Sequence, residues 1–62
     1  MDYPRRYIKE ADAAKKLDVA EGTLANWRWK GKGPPYYRMG NMVRYEVGEL
    51  DRWVAAGKTE AA

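Results

Sequence analysis

The sequence predicts a mainly α-helical domain with one small β-hairpin, its elements running helix, helix, hairpin, helix. Three observations carry that expectation. Two short stretches with helical apolar spacing, residues 10–17 and 21–30, stand three residues apart. The run Gly31-Lys32-Gly33-Pro34-Pro35 cannot continue a helix and closes the second of them. Beyond it, residues 36–45 are rich in Tyr, Met and Val around a Gly40-Asn41 turn signal, and a third helical stretch follows.

In the first helix, Ala13, Ala14 and Leu17 share one side, with Lys15 and Lys16 opposite. The two alanines are small enough to let a second helix cross closely. Asp18-Val19-Ala20 forms the break. Val19 precedes the expected N-cap, Ala20, and Leu24 falls at N4, so the pair can act as a hydrophobic staple. Ala20 itself is a poor cap, costing about 1 kcal/mol against Ser or Thr.

On a helical wheel of the second stretch, Ala20, Leu24 and Trp27 define the buried side. Gly22, Ala25, Asn26 and Trp29 lie opposite, flanked by Glu21 and Arg28 on one side and Thr23 and Lys30 on the other. In the hairpin, a three-residue loop Gly40-Asn41-Met42 would turn Tyr37, Met39, Val43 and Tyr45 inward. Arg38 and Arg44 would then share the outer face; a two-residue loop would separate them. The last helix, residues 47–56, places Leu50, Trp53 and Val54 at core spacing and ends at Gly57. Residues 7–57 are thus expected to form one domain, with an N-terminal arm (1–6) and a flexible tail (58–62).

Composition narrows the function. With 62 residues, no cysteine and no histidine, there is no disulfide, no thiol nucleophile, none of the usual zinc sites and no imidazole base. No cofactor, metal or small-molecule substrate is expected, and no catalytic activity. The acid pairs Glu10/Asp12 and Glu49/Asp51 point apart at their i, i+2 helical spacing. No apolar run reaches the roughly 18 residues of a membrane span, and no secretory signal opens the chain. A cytoplasmic protein is the expectation.

The net charge of +3 says less than its distribution. Residues 22–45 contain no Asp or Glu, yet Arg28, Lys30, Lys32, Arg38 and Arg44 all fall there. A basic middle between mixed ends suits a polyanion; the bland alternative is a chance cluster on a solvated face. Two short helices with a three-residue break form a helix-turn-helix candidate, whose second helix would enter the major groove of duplex DNA. Asn26 is then the best base reader, since its amide can pair with adenine in two-pronged fashion. Gly22 and Ala25 allow close approach, with Ala25 able to touch a thymine methyl.

The remaining positions divide by geometry. Arg28 and Lys30 suit phosphates, with Thr23 on the same flank as Lys30. Glu21 favours the helix dipole over a cytosine contact. Trp29 either folds back on the Pro34-Pro35 turn, the preferred reading, or stacks on the sugar-phosphate edge. Arg38, Asn41 and Arg44 suit a wing gripping phosphates or a minor groove. Arg5 and Arg6 carry only a weak arm signal.

The string Tyr7-Ile8, Ala13-Ala14, Leu17, Val19 and Thr23-Leu24-Ala25-Asn26-Trp27-Arg28 resembles the small MerR-like helix-turn-helix domains of phage excisionases and AlpA-type prophage regulators. The likeness continues through Gly31-Lys32-Gly33-Pro34-Pro35, Arg38, Gly40, Val43-Arg44-Tyr45 and Leu50-Asp51-Arg52-Trp53, covering about residues 7–57. The resemblance implies a winged helix-turn-helix, recognition by Glu21, Gly22, Ala25, Asn26 and Arg28, and wing contacts by Arg38, Asn41 and Arg44. It further implies either an excisionase that bends attachment-site DNA, in several copies and with an integrase as partner, or a small transcriptional regulator. Members often carry Gly at Asp18, Ser or Thr near Lys9 and Ala20, and a basic residue at Asn41 or Met42. A protein-interaction adaptor is the reading from another class; salt-dependent duplex binding separates it from the other two.

Overall fold

A computed structural model describes residues 5–59 of the chain. Its elements are β1 (Tyr7–Lys9), α1 (Glu10–Leu17), α2 (Glu21–Trp29), β2 (Tyr37–Met39), β3 (Met42–Glu46) and α3 (Val47–Ala56). The helix-helix-hairpin-helix order stands, within one residue at the end of α2. The strand β1 is an addition to it. It pairs antiparallel with β3, giving a three-stranded sheet in the order β1-β3-β2. Three helices and this small sheet fit a winged helix-turn-helix.

Helix α1 places Glu10 and Asp12 in its first turn and Lys15 and Lys16 in its last, both favourable to the helix dipole. Asp18 stops it in a left-handed conformation, φ 59° and ψ 45°. Glycine adopts that conformation without strain; Asp is among the few other residues that tolerate it. Val19 follows, half-buried against the core, and Ala20 opens α2 in extended geometry with no side-chain cap. Since the cap geometry is in place and Ala20 is exposed, Ala20→Ser should stabilise the free domain by about 1 kcal/mol. Thermal denaturation without ligand should show a rise of roughly 4–8 °C.

The core is Ala13, Ala14, Leu24, Tyr45 and Leu50, with Ile8, Leu17, Val19, Trp27 and Val43 packed around it. Ala13 and Ala14 are buried where α1 crosses α2, as their size suggested. The stop after α2 packs on Trp27: a Cβ at Gly33, whose φ is 84°, would stand 3.1 Å from the Trp27 Cβ. The Lys32 amide donates to the Trp27 carbonyl at 2.8 Å.

Two expectations about burial need correction. Trp53 and Val54 are not core residues; they are 36% and 51% exposed, and only Leu50 of the α3 stripe is buried. Helix α3 packs mainly on β3, so its second turn runs past the cover that α1 and α2 provide. Trp53 reaches the edge of Trp27, with ring centroids 5.9 Å apart. The start of α3 is well fixed: the Glu46 carboxylate accepts from the Gly48 and Glu49 amides at 3.1 and 2.9 Å. Those amide bonds, Gly48 first, hold its pKa below the usual carboxylate range. The Val47 amide donates to the Arg6 carbonyl at 2.9 Å. The expected arm is therefore partly tied down at Arg6, while Met1–Pro4 and the tail end Glu60–Ala62 lie outside the described residues.

The hairpin register also differs. Met39 pairs Met42, Arg38 pairs Val43 and Tyr37 pairs Arg44, so the loop is the two residues Gly40-Asn41. Gly40 takes φ 65° while Asn41 keeps φ negative, the pattern of a II′ hairpin turn, whose twist matches that of the strands. Directly opposed residues share a face. Val43 and Tyr45 face the core as expected, but Tyr37 and Met39 join Met42 and Arg44 on the outer face. There Tyr7 of β1 meets Tyr37 edge-on, with ring centroids 5.3 Å apart. Arg38 and Arg44 are consequently on opposite faces. Arg38 is still exposed, because β2 is an edge strand.

Candidate nucleic-acid interface

Burial along α2 separates two sides. Leu24 is buried and Trp27 and Arg28 are half-buried, at i, i+3 and i+4. Glu21, Gly22, Thr23, Asn26 and Trp29 are exposed, and Ala25 is half-buried between them. The stripe of Gly22, Ala25, Asn26 and Trp29 therefore forms one outward face. Lys30, at the C-cap, continues it. At that cap the Lys30 amide donates to the Asn26 and Trp27 carbonyls, both at 3.1 Å.

Arg28 does not belong to this face. Its Nε donates to Glu10 Oε2 at 2.9 Å and its Nη2 to Glu10 Oε1 at 3.1 Å, a two-pronged ion pair. The Tyr45 hydroxyl donates to the same Glu10 Oε2 at 2.8 Å, and the guanidinium lies 5.8 Å from the Tyr36 ring centre. The Arg28 fork holds the Glu10 carboxyl below the usual carboxylate range, against the opposing effect of burial. Burial, reinforced by the bond to Glu10, pushes the Tyr45 phenol upward. This three-residue tie joins α1, α2 and β3. Arg28 is accordingly left out of the contacts proposed below. The signal for its role was its place one turn after Leu24, about 40° away on the wheel.

Trp29 also departs from the preferred expectation. It is 79% exposed and does not pack on the proline turn; the turn closes on Trp27 instead. In the wing, Arg44 is half-buried, its Nη1 donating to the Val43 carbonyl at 2.8 Å and its Nη2 to Met42 Sδ at 3.5 Å. Asn41 stands exposed in the turn. Among the described residues, no ion-pair partner meets Lys30, Lys32 or Arg38. These cations are free to meet an anion, whereas Lys16 pairs with Asp51 at 3.0 Å.

Two helices crossing on alanines, an outward stripe of Gly22, Ala25, Asn26 and Trp29 on the second and a hairpin carrying Arg38, unpaired among the described residues, define a small DNA-binding domain of the winged helix-turn-helix class. Residues 5–58 match the helix-turn-helix domain family, and the chain belongs to it. No curated protein matches the chain. No helix among the described residues is long and apolar enough to cross a membrane.

Proposed function

We propose that this domain binds duplex DNA in a sequence-specific manner, as an excisionase-type architectural factor that bends attachment-site DNA. The observation that carries the reading is the exposed α2 stripe of Gly22, Ala25, Asn26 and Trp29, within a 24-residue stretch (22–45) free of acids. In this reading α2 lies in the major groove. Asn26 reads a base, with Gly22 and Ala25 permitting close approach, while Glu21 favours the dipole at the helix start and Thr23 lies on the flank shared with Lys30. Lys30, Arg38 and Arg44 contact the backbone or the adjacent minor groove, with Asn41 at the wing tip. The resemblance to excisionases supports the architectural role, with an integrase as protein partner.

One such module buries only about 600–1,000 Å² of its surface on DNA, too little for tight specific binding alone. Several copies should therefore bind repeated half-sites, about one helical turn apart when they share a face of the duplex. Selection from a random duplex pool, followed by footprinting and a bending assay on the enriched site, tests this. A pool that yields no consensus sinks the specific reading. A single copy bound at nanomolar affinity without bending sinks the architectural one.

Arg38 offers a sharper check on the wing. Because its guanidinium is unpaired and exposed, Arg38→Ala should weaken every duplex alike. It should also lower the slope of log affinity against log salt by about 0.9. Titrations at several salt concentrations read this directly; an unchanged slope removes Arg38 from the contacts.

A further inference from the structure

Trp29 is exposed in a chain that is short of apolar cover. Its indole is 79% exposed, although Trp27 two residues earlier is half-buried and leans on Trp53. An indole left in water forgoes burial that a domain this small can use. Trp29 stands one turn beyond Asn26 and two turns beyond Gly22, on the same face. Side-chain height rises along that face. At Gly22 there is no side chain, and nothing lies within 4 Å of where a Cβ would stand. Ala25 and Asn26 are short, and Trp29 is the tallest.

A recognition helix enters the major groove by its N-terminal end, so its C-terminal end rises toward the rim, where deoxyribose faces line the wall. Trp29 lies about 4.5 Å past Asn26 along the axis, at that end. Its neighbours Lys30 and Lys32 are cations with no ion-pair partner among the described residues, which suits the phosphates on either side of a sugar. An indole supplies a broad apolar face and an N–H donor in one rigid group. Resting on the duplex reading above, the geometry points to Trp29 as the residue that packs against the sugar-phosphate rim of the groove. It adds affinity there without reading sequence.

The test uses the whole chain with two fluorescence readouts, on the enriched duplex and on a random duplex. Trp29→Ala should weaken both duplexes by a similar factor, about tenfold, with an unchanged salt slope. Its melting curve should match the parent, because the side chain touches little in the free domain. Trp29→Phe should keep most of the affinity while losing most of the tryptophan emission change that duplex DNA causes in the parent, since only Trp27 and Trp53 then report. Unchanged affinity of Trp29→Ala overturns the inference and leaves the duplex reading standing. A loss confined to the enriched duplex overturns it in favour of base contact. An emission change of undiminished size in Trp29→Phe overturns it, as does self-association of the free chain that Trp29→Ala abolishes without affecting DNA. A parent chain that binds neither duplex overturns both readings together.

Discussion

Glu10→Ala should cost the domain most of its stability. The carboxylate takes both prongs of Arg28 and the hydroxyl of Tyr45, and removing it strands a guanidinium and a phenol between α1, α2 and β3. Breaking a buried pair from one side costs about 3–5 kcal/mol. Here the side chains keep 14% and 15% exposure, so water relieves part of the loss and about 2–3 kcal/mol is the better figure. A single core of this size rarely supplies more than about 3–5 kcal/mol in total. The melting temperature should therefore fall by roughly 10–20 °C. Arg28→Ala should fall comparably, and the double substitution by clearly less than the two losses added, because the second change removes a partner already stranded. Additive losses in that cycle would mean that each residue acts alone.

The same tie sets a pH dependence at both ends. Glu10 has its folded pKa depressed below the ordinary 4.5, so its contribution is present above that value. It is lost as the pH falls through the folded value. Tyr45 has its folded pKa raised above the ordinary 10.0, so its contribution is full below 10.0 and is lost as the pH climbs past it. In Glu10→Gln the acid-side loss should shrink, since the carboxyl that titrates is gone. Chemical denaturation across the acid range reads the difference.

The order of elements was legible because its punctuation is chemical: a proline-glycine run, a Gly-Asn turn and a terminal glycine each stop what precedes them. What the sequence left open depended on partners far along the chain. Arg28 reads as a surface cation until Glu10, eighteen residues earlier, is known to sit beneath it. Three residues, Tyr7-Ile8-Lys9, are too few to show a strand period, so β1 emerged only from its pairing with β3. Alternation in the hairpin was compatible with either loop length; the decision lay in Gly40, whose positive φ suits the two-residue turn. Periodicity in α3 gave the inward side correctly at Leu50. It carried no information on how far the neighbours reach, so Trp53 and Val54 were assigned too much burial. The outward stripe of α2 was legible throughout, because Leu24 and Trp27 fix the side opposite to it.

Asn26→Ala should lose specific binding while random duplex binding barely changes. Asn26 is exposed at the middle of that stripe, between Gly22 and Trp29, and it is the one residue there whose side chain both donates and accepts. Its neighbours Gly22 and Ala25 are small enough to let the amide approach a base edge. A two-pronged contact to adenine discriminates by about 1–3 kcal/mol, so affinity for the enriched site should drop about tenfold or more. The fold gives an internal control. An exposed helical Asn contributes nothing to the core, and alanine is the better helix former, so the melting temperature should hold or rise slightly. A phosphate contact would weaken enriched and random duplexes equally and, because the amide is neutral, leave the salt slope unchanged. A solvent-facing amide would change neither affinity. Equal losses on both duplexes would sink base reading by Asn26 while leaving the helix-turn-helix assignment untouched. A loss on the enriched site alone would place the amide on a base.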